Sequence, residues 1–338
     1  MASLLKTYRQ EKILGQVYTP DFVVCKILDD MGYTGPGVLG KPIVDPACGD
    51  GRFLMEIVKR IIRFSPEEVL KSNLECIYGW DIDETAIAAC ISHLNALIHD
   101  RNICIQWNIS VTNALTKHEK PDLFSTNNTT KFDFIVGNPP YIRIQHLDIA
   151  QRQYIQQNYL FCKSGSTDIY IAFYELCLNL LSEEGVCGLI TPNTFFFTET
   201  GRSLRQYFSQ NKNLIRITNY GDIQLFSDAT TYSAITIFSK RANQNFIYQK
   251  AITESTFEET TIDFSELRKP FWQLSTNKTD TSKGSKLKDI CNIHVGITTL
   301  CDKAYIFPIE ILDSTYVYAE TKLRGRVKLE KKLLRPIV

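Results

Sequence analysis

Long apolar runs are missing from this chain. No stretch of the 338 residues approaches the ~20 consecutive apolar residues that cross a bilayer. Met1 to Glu11 also lacks the apolar core of a signal peptide. A membrane partner is therefore not expected. An excess of one charge is missing too. The 38 Lys and Arg stand against 37 Asp and Glu, a formal net charge of +1. That excludes a histone-like polycation but leaves room for a local basic face. The ten cysteines include no C-x-x-C pair. Most of them, such as Cys25, Cys76, Cys90, Cys104 and Cys177, stand in apolar surroundings and read as small core hydrophobes. Neither a metal site nor a disulfide framework is expected, and the composition points to a reducing cytoplasm. What the chain does have is 44% hydrophobic and 11% aromatic residues. That is enough to bury substantial cores, so wholesale disorder is excluded. The length suits two ordinary domains, or one large domain with an appendage.

Between residues 41 and 239, short β-rich runs alternate with longer helical patterns. The strand candidates are 41–46, 75–81, 102–108, 132–138, 185–191, 213–220 and 232–238. Helical periodicity follows Gly51, Asp83 and Asp168. Such alternation predicts βαβ units, hence an α/β fold with a doubly wound, mostly parallel sheet. The last two strand candidates have only a loop between them, over 219–231, and predict an antiparallel hairpin at one edge. Before the first strand, Thr19-Pro20-Asp21 reads as a helix start, with Thr19 as N-cap and Pro20 at the first helical position. The texture changes after residue 242, with a polar stretch at 277–286. The domains expected are 1–242, and 243–338 as a linker with the start of a second, C-terminal domain. Near the end, Lys322, Arg324, Arg326, Lys328, Lys331, Lys332 and Arg335 face one acid, Glu330. A solvated face is the default reading of such a run; a phosphate-contacting edge is the sharper one.

Three constellations carry chemistry. Asp45-Pro46-Ala47-Cys48-Gly49-Asp50-Gly51 ends the first strand, where open α/β sheets bind ligands. Its glycines permit a tight turn and close approach of backbone to a ligand. No third glycine follows at dinucleotide spacing and no Gly-Lys-Ser/Thr follows, which argues against NAD and a P-loop. At the end of the second strand, Asp81 suits a pair of ribose hydroxyls, while Asp83 reads as the cap of the next helix. A nucleoside ligand without a diphosphate clamp points to S-adenosylmethionine. The third constellation is Asn138-Pro139-Pro140-Tyr141. Its prolines stiffen the loop and remove donors. The Asn138 side-chain oxygen and the Pro139 carbonyl can both accept from one exocyclic NH2, while Tyr141 offers a face for stacking a planar base. Two acceptors help draw the amine nitrogen toward a nucleophilic, tetrahedral geometry, so positioning and electrostatics suffice without a strong base.

Together these motifs resemble the γ class of N6-adenine DNA methyltransferases, the Eco57I/TaqI-like group of type II restriction–modification systems. The resemblance also covers Gly15–Pro20, Asp168–Phe173 and the segment GVCGLITPNTFF. At 287–307, LKDICNIHVGITTLCDKAYIF resembles the opening of a target-recognition region. It implies a methyltransferase-type fold, S-adenosylmethionine as cofactor, and double-stranded DNA as partner with the adenine flipped from the stack. A restriction endonuclease would be the functional partner of a cytoplasmic monomer. Tyr18, Thr19 and Pro20 would contact the methionine end of the cofactor, as would Asp45, Ala47, Cys48 and Gly49. Asp81 would hold the ribose, Ile82 and Phe173 would cover the adenine, and Asn113 with Ala114 would meet its edge. Where the family usually has an acid, this chain has Asn113, whose carbonyl can still accept from the amine. The flipped base would meet Tyr141 and a second aromatic, Phe226 in preference to Tyr232. Arg143, Lys163, Arg202 and Arg205 would serve DNA contacts, with His146 a weaker candidate. The family normally continues beyond a sequence ending such as Val338, so part of the DNA-gripping surface is expected outside this chain.

Three other readings stand beside this one. A protein-glutamine or RNA-adenine methyltransferase also uses an Asn-Pro-Pro-Tyr loop, but the Tyr18-Thr19-Pro20 motif and the C-terminal region argue against it. A non-catalytic DNA-binding subunit conflicts with the intact Asn138–Tyr141 motif, though Asn113 keeps it open. A fused restriction enzyme would need a PD…(D/E)-x-K pattern, and no convincing one is present.

Overall fold

The computed structural model describes residues 19–101, 103–117, 130–163, 167–226, 231–268, 270–276, 287–291, 308–311, 313–321 and 325–334. Among them, nine strands form one sheet. They are Ile43–Asp45 (β1), Ile77–Asp81 (β2), Asn108–Val111 (β3), Phe132–Gly137 (β4), Leu181–Pro192 (β5), Leu214–Asn219 (β6), Ser233–Ser239 (β7), Asn245–Ala251 (β8) and Phe257–Asp263 (β9). Their spatial order is β3-β2-β1-β4-β5-β7-β6-β8-β9. Strands β3 to β5 pair parallel, as do β6 and β8. β7 runs antiparallel between β5 and β6, and β9 runs antiparallel beside β8. The strand order reverses between β1 and β4. A crevice at such a switch point, outside the carboxyl ends of the strands, is where open α/β sheets bind ligands.

Apolar residues on alternate strand positions feed two cores, one on each face. One core joins Ile43, Phe134 and Val136 to helices Asp21–Asp30 (α1), Arg52–Phe64 (α2), Glu67–Leu74 (α3) and Glu84–Ile98 (α4). In α2 the buried Phe53, Leu54, Ile57, Val58 and Ile61 form one stripe at helical spacing. The other core joins Val44 and Ile135 to helices Ile169–Leu180 (α6) and Arg202–Asn211 (α7), with Ile155 reaching in from helix Ile149–Asn158 (α5). α6 is buried on nearly every side, as its continuous apolar run requires. The doubly wound α/β sheet read from the sequence is therefore the observed fold.

Three elements differ from expectation. The antiparallel pair β6–β7 does not end the sheet, because β8 and β9 add to it from beyond residue 242. By its internal contacts the chain divides into units 1–278 and 279–338. β3 begins at Asn108, not at 102. Over 103–107 the chain has no strand partner, although Ile103, Ile105 and Trp107 still pack inward. Cys104, between two of them, is consequently exposed rather than in the core, and Cys25 and Cys76 are half-buried. The nine described cysteines are all free. No described helix is long and apolar enough to cross a membrane, and no metal-binding cluster occurs among the described residues.

The second unit contains the antiparallel strands Ile309–Ile311 (β10), Tyr316–Thr321 (β11) and Gly325–Glu330 (β12). Cross-strand neighbours place Lys328 over the Tyr316 ring at 4.2 Å and Arg326 over the Tyr318 ring at 4.4 Å. Arg326 also pairs with Glu310, and Lys332 with Glu330. Lys322, Arg324 and Arg335 of the basic run lie outside the described residues.

Candidate active site

β1 ends at Asp45, where the backbone turns sharply toward α2. Gly49 and Gly51 adopt φ of +51° and +92°, the left-handed region that side chains avoid. At Gly51 a β-carbon would also stand 2.6 Å from the Cys90 sulfur. The turn is tied to β2, since the Gly49 N–H donates to Asp81 Oδ2 at 2.9 Å and the Cys48 N–H to the Trp80 carbonyl. Asp81 Oδ1 accepts from the Asp83 N–H at 3.0 Å. One carboxylate thus spans two loops, and each oxygen keeps lone-pair capacity for a ligand hydroxyl. Asp83 caps α4, accepting from the N–H groups of Thr85 and Ala86, as its position predicted.

Asp45 is 1% exposed and accepts from the Ala47 N–H at 3.0 Å. Burial pushes its carboxyl up to about 8, and the nearby Asp81 charge adds to the rise. Close approach of β4 encloses it, because a β-carbon at Gly137 would stand 2.8 Å from Asp45 Oδ1. A hydrogen bond with the Cys90 thiol, burial and neighbouring negative charge together push the Cys48 thiol far above its ordinary value, which leaves it unreactive.

Asn138 follows β4, and its amide Nδ2 donates to Thr19 Oγ1 at 3.1 Å. Thr19 therefore does not cap α1 as expected. Pro20 occupies the N-cap position with extended backbone, and the cap has no side-chain hydrogen bond. Tyr141 is half-buried, donates from its hydroxyl to the Ile190 carbonyl at 3.3 Å, and lies edge-on to Tyr170 at 6.3 Å. Beyond it the loop is pinned to the start of α6. Arg143 and Asp168 form a β-bridge, the Ile144 N–H donates to the Thr167 carbonyl, and the Ile169 N–H to the Ile142 carbonyl. The excursion between these pinned ends carries α5. It is held down by the Tyr159 hydroxyl, which donates to the Leu115 carbonyl at 2.7 Å. Glu175 of α6, only 7% exposed, accepts from the N–H groups of Leu160 and Phe161 at 2.9 and 2.8 Å.

These elements enclose a cavity of about 560 Å³. Of the sequence-predicted residues, it is lined by Thr19, Asp45, Ala47, Cys48, Gly49, Asp81, Ile82, Asn113, Ala114, Asn138, Pro140 and Phe173. Pro20, Pro139, Tyr141, Arg143 and Phe226 are not among its lining residues, and Tyr18 lies outside the described residues. Phe226 is buried in the core around Tyr220 and Leu225, whereas Tyr232 is exposed. Asn113 Oδ1 accepts from the Leu115 N–H at 3.1 Å, capping a single helical turn. Its oxygen is thus already engaged, and Nδ2, a donor, is the other end of that amide. Arg205 is buried, donating to the Phe195, Thr198 and Pro270 carbonyls, so it braces the chain and is not available for DNA contact. Arg202 pairs with Glu199, while Arg143, His146 and Lys163 are exposed. The α5 excursion supplies further lining residues: His146, named above as a weaker candidate for DNA contact, and Leu147, Asp148, Gln151, Tyr154 and Ile155, which the motifs did not reveal. Their one local signal is Asp148, an N-cap residue type that accepts from the Gln151 N–H at the start of α5.

Residues 75–226 match the Eco57I restriction-modification methylase family. Curated type II restriction–modification proteins are similar to it along most of the chain. The type II restriction enzyme and methyltransferase RM.Eco57I of Escherichia coli is 27% identical over 95% of this chain and 39% of its own length. The type II methyltransferase M.BanIII of Aneurinibacillus aneurinilyticus is 27% identical over 96% of this chain and 62% of its own. The chain thus spans between about two fifths and three fifths of these relatives. Among solved structures, the type IIG restriction endonuclease BpuSI shares the fold with a TM-score of 0.57 at 15% identity, covering 75% of this chain and 32% of that one. A class I S-adenosylmethionine-dependent methyltransferase from Listeria monocytogenes superposes with a TM-score of 0.51 at 14% identity, over 70% and 67% of the two chains. The Eco57I match contains both Asp81 and the Asn138–Tyr141 loop.

Proposed function

We propose that this chain transfers the methyl group of S-adenosylmethionine to N6 of an adenine flipped out of double-stranded DNA. It would be the modification activity of a type II restriction–modification system, working in the cytoplasm alongside a restriction endonuclease. The single observation that carries the reading is the placement of Asn138 on the wall of the same cavity as Asp45, Asp81 and Phe173. The cavity suits the cofactor. It falls in the size range of small-ligand sites, and it offers a buried carboxylate at Asp45 for a cationic methionine end. Asp81 is present for a ribose, and Ile82 and Phe173 for the two faces of a base. The bound cofactor supplies an electrophilic methyl on a sulfonium. The residues around it do the rest. The Asn138 oxygen and Pro139 carbonyl accept from the target amine and hold its nitrogen in line, while Tyr141 stacks on the base. We assign this chemistry to the unit ending at Lys278, and target recognition to the region that follows it.

The test is transfer of labelled methyl groups from S-adenosylmethionine to unmethylated genomic DNA, with wild type and Asn138→Ala side by side. Label on adenine N6 that disappears in Asn138→Ala is the expected result. Transfer that survives in the variant, or label on cytosine or on protein, overturns the reading.

A further inference from the structure

From the contact between Thr19 and Asn138 we infer that Thr19 is a positioning residue for the methyl-transfer reaction, holding the Asn138 amide with its nitrogen turned toward the start of α1. The inference rests on the proposed role of Asn138. An asparagine amide is nearly symmetric in shape, and its terminal torsion is broad and two-fold. Left alone it turns easily between two orientations that are chemically opposite. One presents an acceptor to a substrate amine, and the other presents NH2 to NH2. In the structure Nδ2 donates to Thr19 Oγ1 at 3.1 Å, so the amide oxygen, which points away from its nitrogen in the planar group, stands in the first orientation.

Both partners are rigidly mounted. Thr19 is 5% exposed and immediately precedes α1, whose Val23, Val24, Ile27 and Leu28 are all in the core. α1 is also fastened on its polar side. Lys26 pairs with Asp30 at 2.9 Å and donates to Gln249 of β8, and Arg216 of β6 reaches Asp30 at 3.4 Å. Asn138 is carried at the end of β4, a strand in the middle of the sheet, and is followed by two prolines that stiffen the loop. A contact between residues 119 positions apart thus joins two elements that cannot drift independently. The helix needs nothing from the threonine, since Pro20 stands at its N-cap and the Pro20 carbonyl already accepts from Val23 and Val24.

The experiment compares Thr19→Val, which keeps the shape and removes the hydroxyl, with Thr19→Ser, which keeps the hydroxyl. Methyl transfer gives kcat and KM, calorimetry gives the Kd for S-adenosylmethionine, and thermal melting reports folding. Thr19→Val is expected to lose about a hundredfold in kcat, the scale of a misplaced reacting group. Its melting temperature should stay near wild type, any rise in cofactor Kd should be far smaller than the loss in kcat, and Thr19→Ser should regain most of the lost rate. A second measurement needs no activity. In protein labelled with 15N at asparagine, the side-chain NH2 signal of Asn138, identified by its loss in Asn138→Ala, should shift in Thr19→Val and hold in Thr19→Ser. An unmoved NH2 signal overturns the inference, and so does a rate loss that tracks cofactor affinity or that serine does not restore. Failure of the methyl-transfer assay in wild type would strike the proposed function instead, leaving the amide signal to decide the role of Thr19.

Discussion

Asp45 is the residue whose energetics run against its burial. A carboxylic acid with an ordinary value near 3.8 is held at about 8 by desolvation. The unfolded chain gives up this proton near pH 4, but the folded protein keeps it until about pH 8. Each unit of pH in that window therefore weakens the fold, and the loss levels off above it. Asp45→Asn has no such proton, so its stability relative to wild type should rise as pH goes from about 4 to about 8 and then stay flat. Thermal melts of both proteins across that range check this; parallel curves would contradict it. A cation placed against Asp45 would favour the ionised form, so cofactor binding should release a proton at neutral pH, which calorimetry in buffers of different ionisation enthalpy would detect. At this same scale, the place of Asn138 and Asp81 on the cavity wall and the capping role of Asp83 were legible because each depends on residue type and strand position. The partners of Thr19 and Arg205 were not. A hydroxyl before a helix reads as a cap and an arginine near a cleft reads as a phosphate ligand, until the fold brings in a contact from a distant part of the chain.

At the scale of elements, the cavity owes one wall to the α5 excursion, and that excursion depends on few buried side chains. α5 buries only Ile155, so its position rests on the Tyr159 hydroxyl and on Glu175 beneath it. Removing the carboxylate takes the acceptor from two partly buried backbone N–H groups, which water can partly replace. Glu175→Ala should therefore destabilise the protein by about 1–3 kcal/mol in denaturant unfolding, and speed limited proteolysis within 149–163. Glu175→Gln, which keeps one acceptor, should lose less. Equal unfolding midpoints for Glu175→Ala and wild type would show that the clamp is idle. Helices α2, α4 and α6 were readable from their apolar spacing. α5 was overlooked because its exposed glutamines leave almost no hydrophobic period. β3 was misplaced for a related reason, since the Ile103-Cys104-Ile105 alternation packs inward without a strand to pair with.

For the molecule as a whole, the parallel half of the sheet and the crevice at its switch point follow from the βαβ rhythm of the sequence. The antiparallel half was harder to read. Nothing local in β8 shows that it will lie parallel to β6. That pairing is settled by packing between distant segments, including the Lys26–Gln249 and Arg216–Glu259 contacts. Among the described residues the open sheet also ends in two rims, β3 and β9, and these bear on how copies of the protein behave toward one another. β3 offers a stranger only four residues. β9 offers seven, a length that invites edge-to-edge pairing, yet the exposed Glu258 and Asp263 stud it with negative charge, and two such rims would repel each other. Resistance to aggregation is thus written into the last strand added to the sheet. With Glu258→Val and Asp263→Val combined, light scattering should detect self-association at concentrations where the natural sequence stays dispersed.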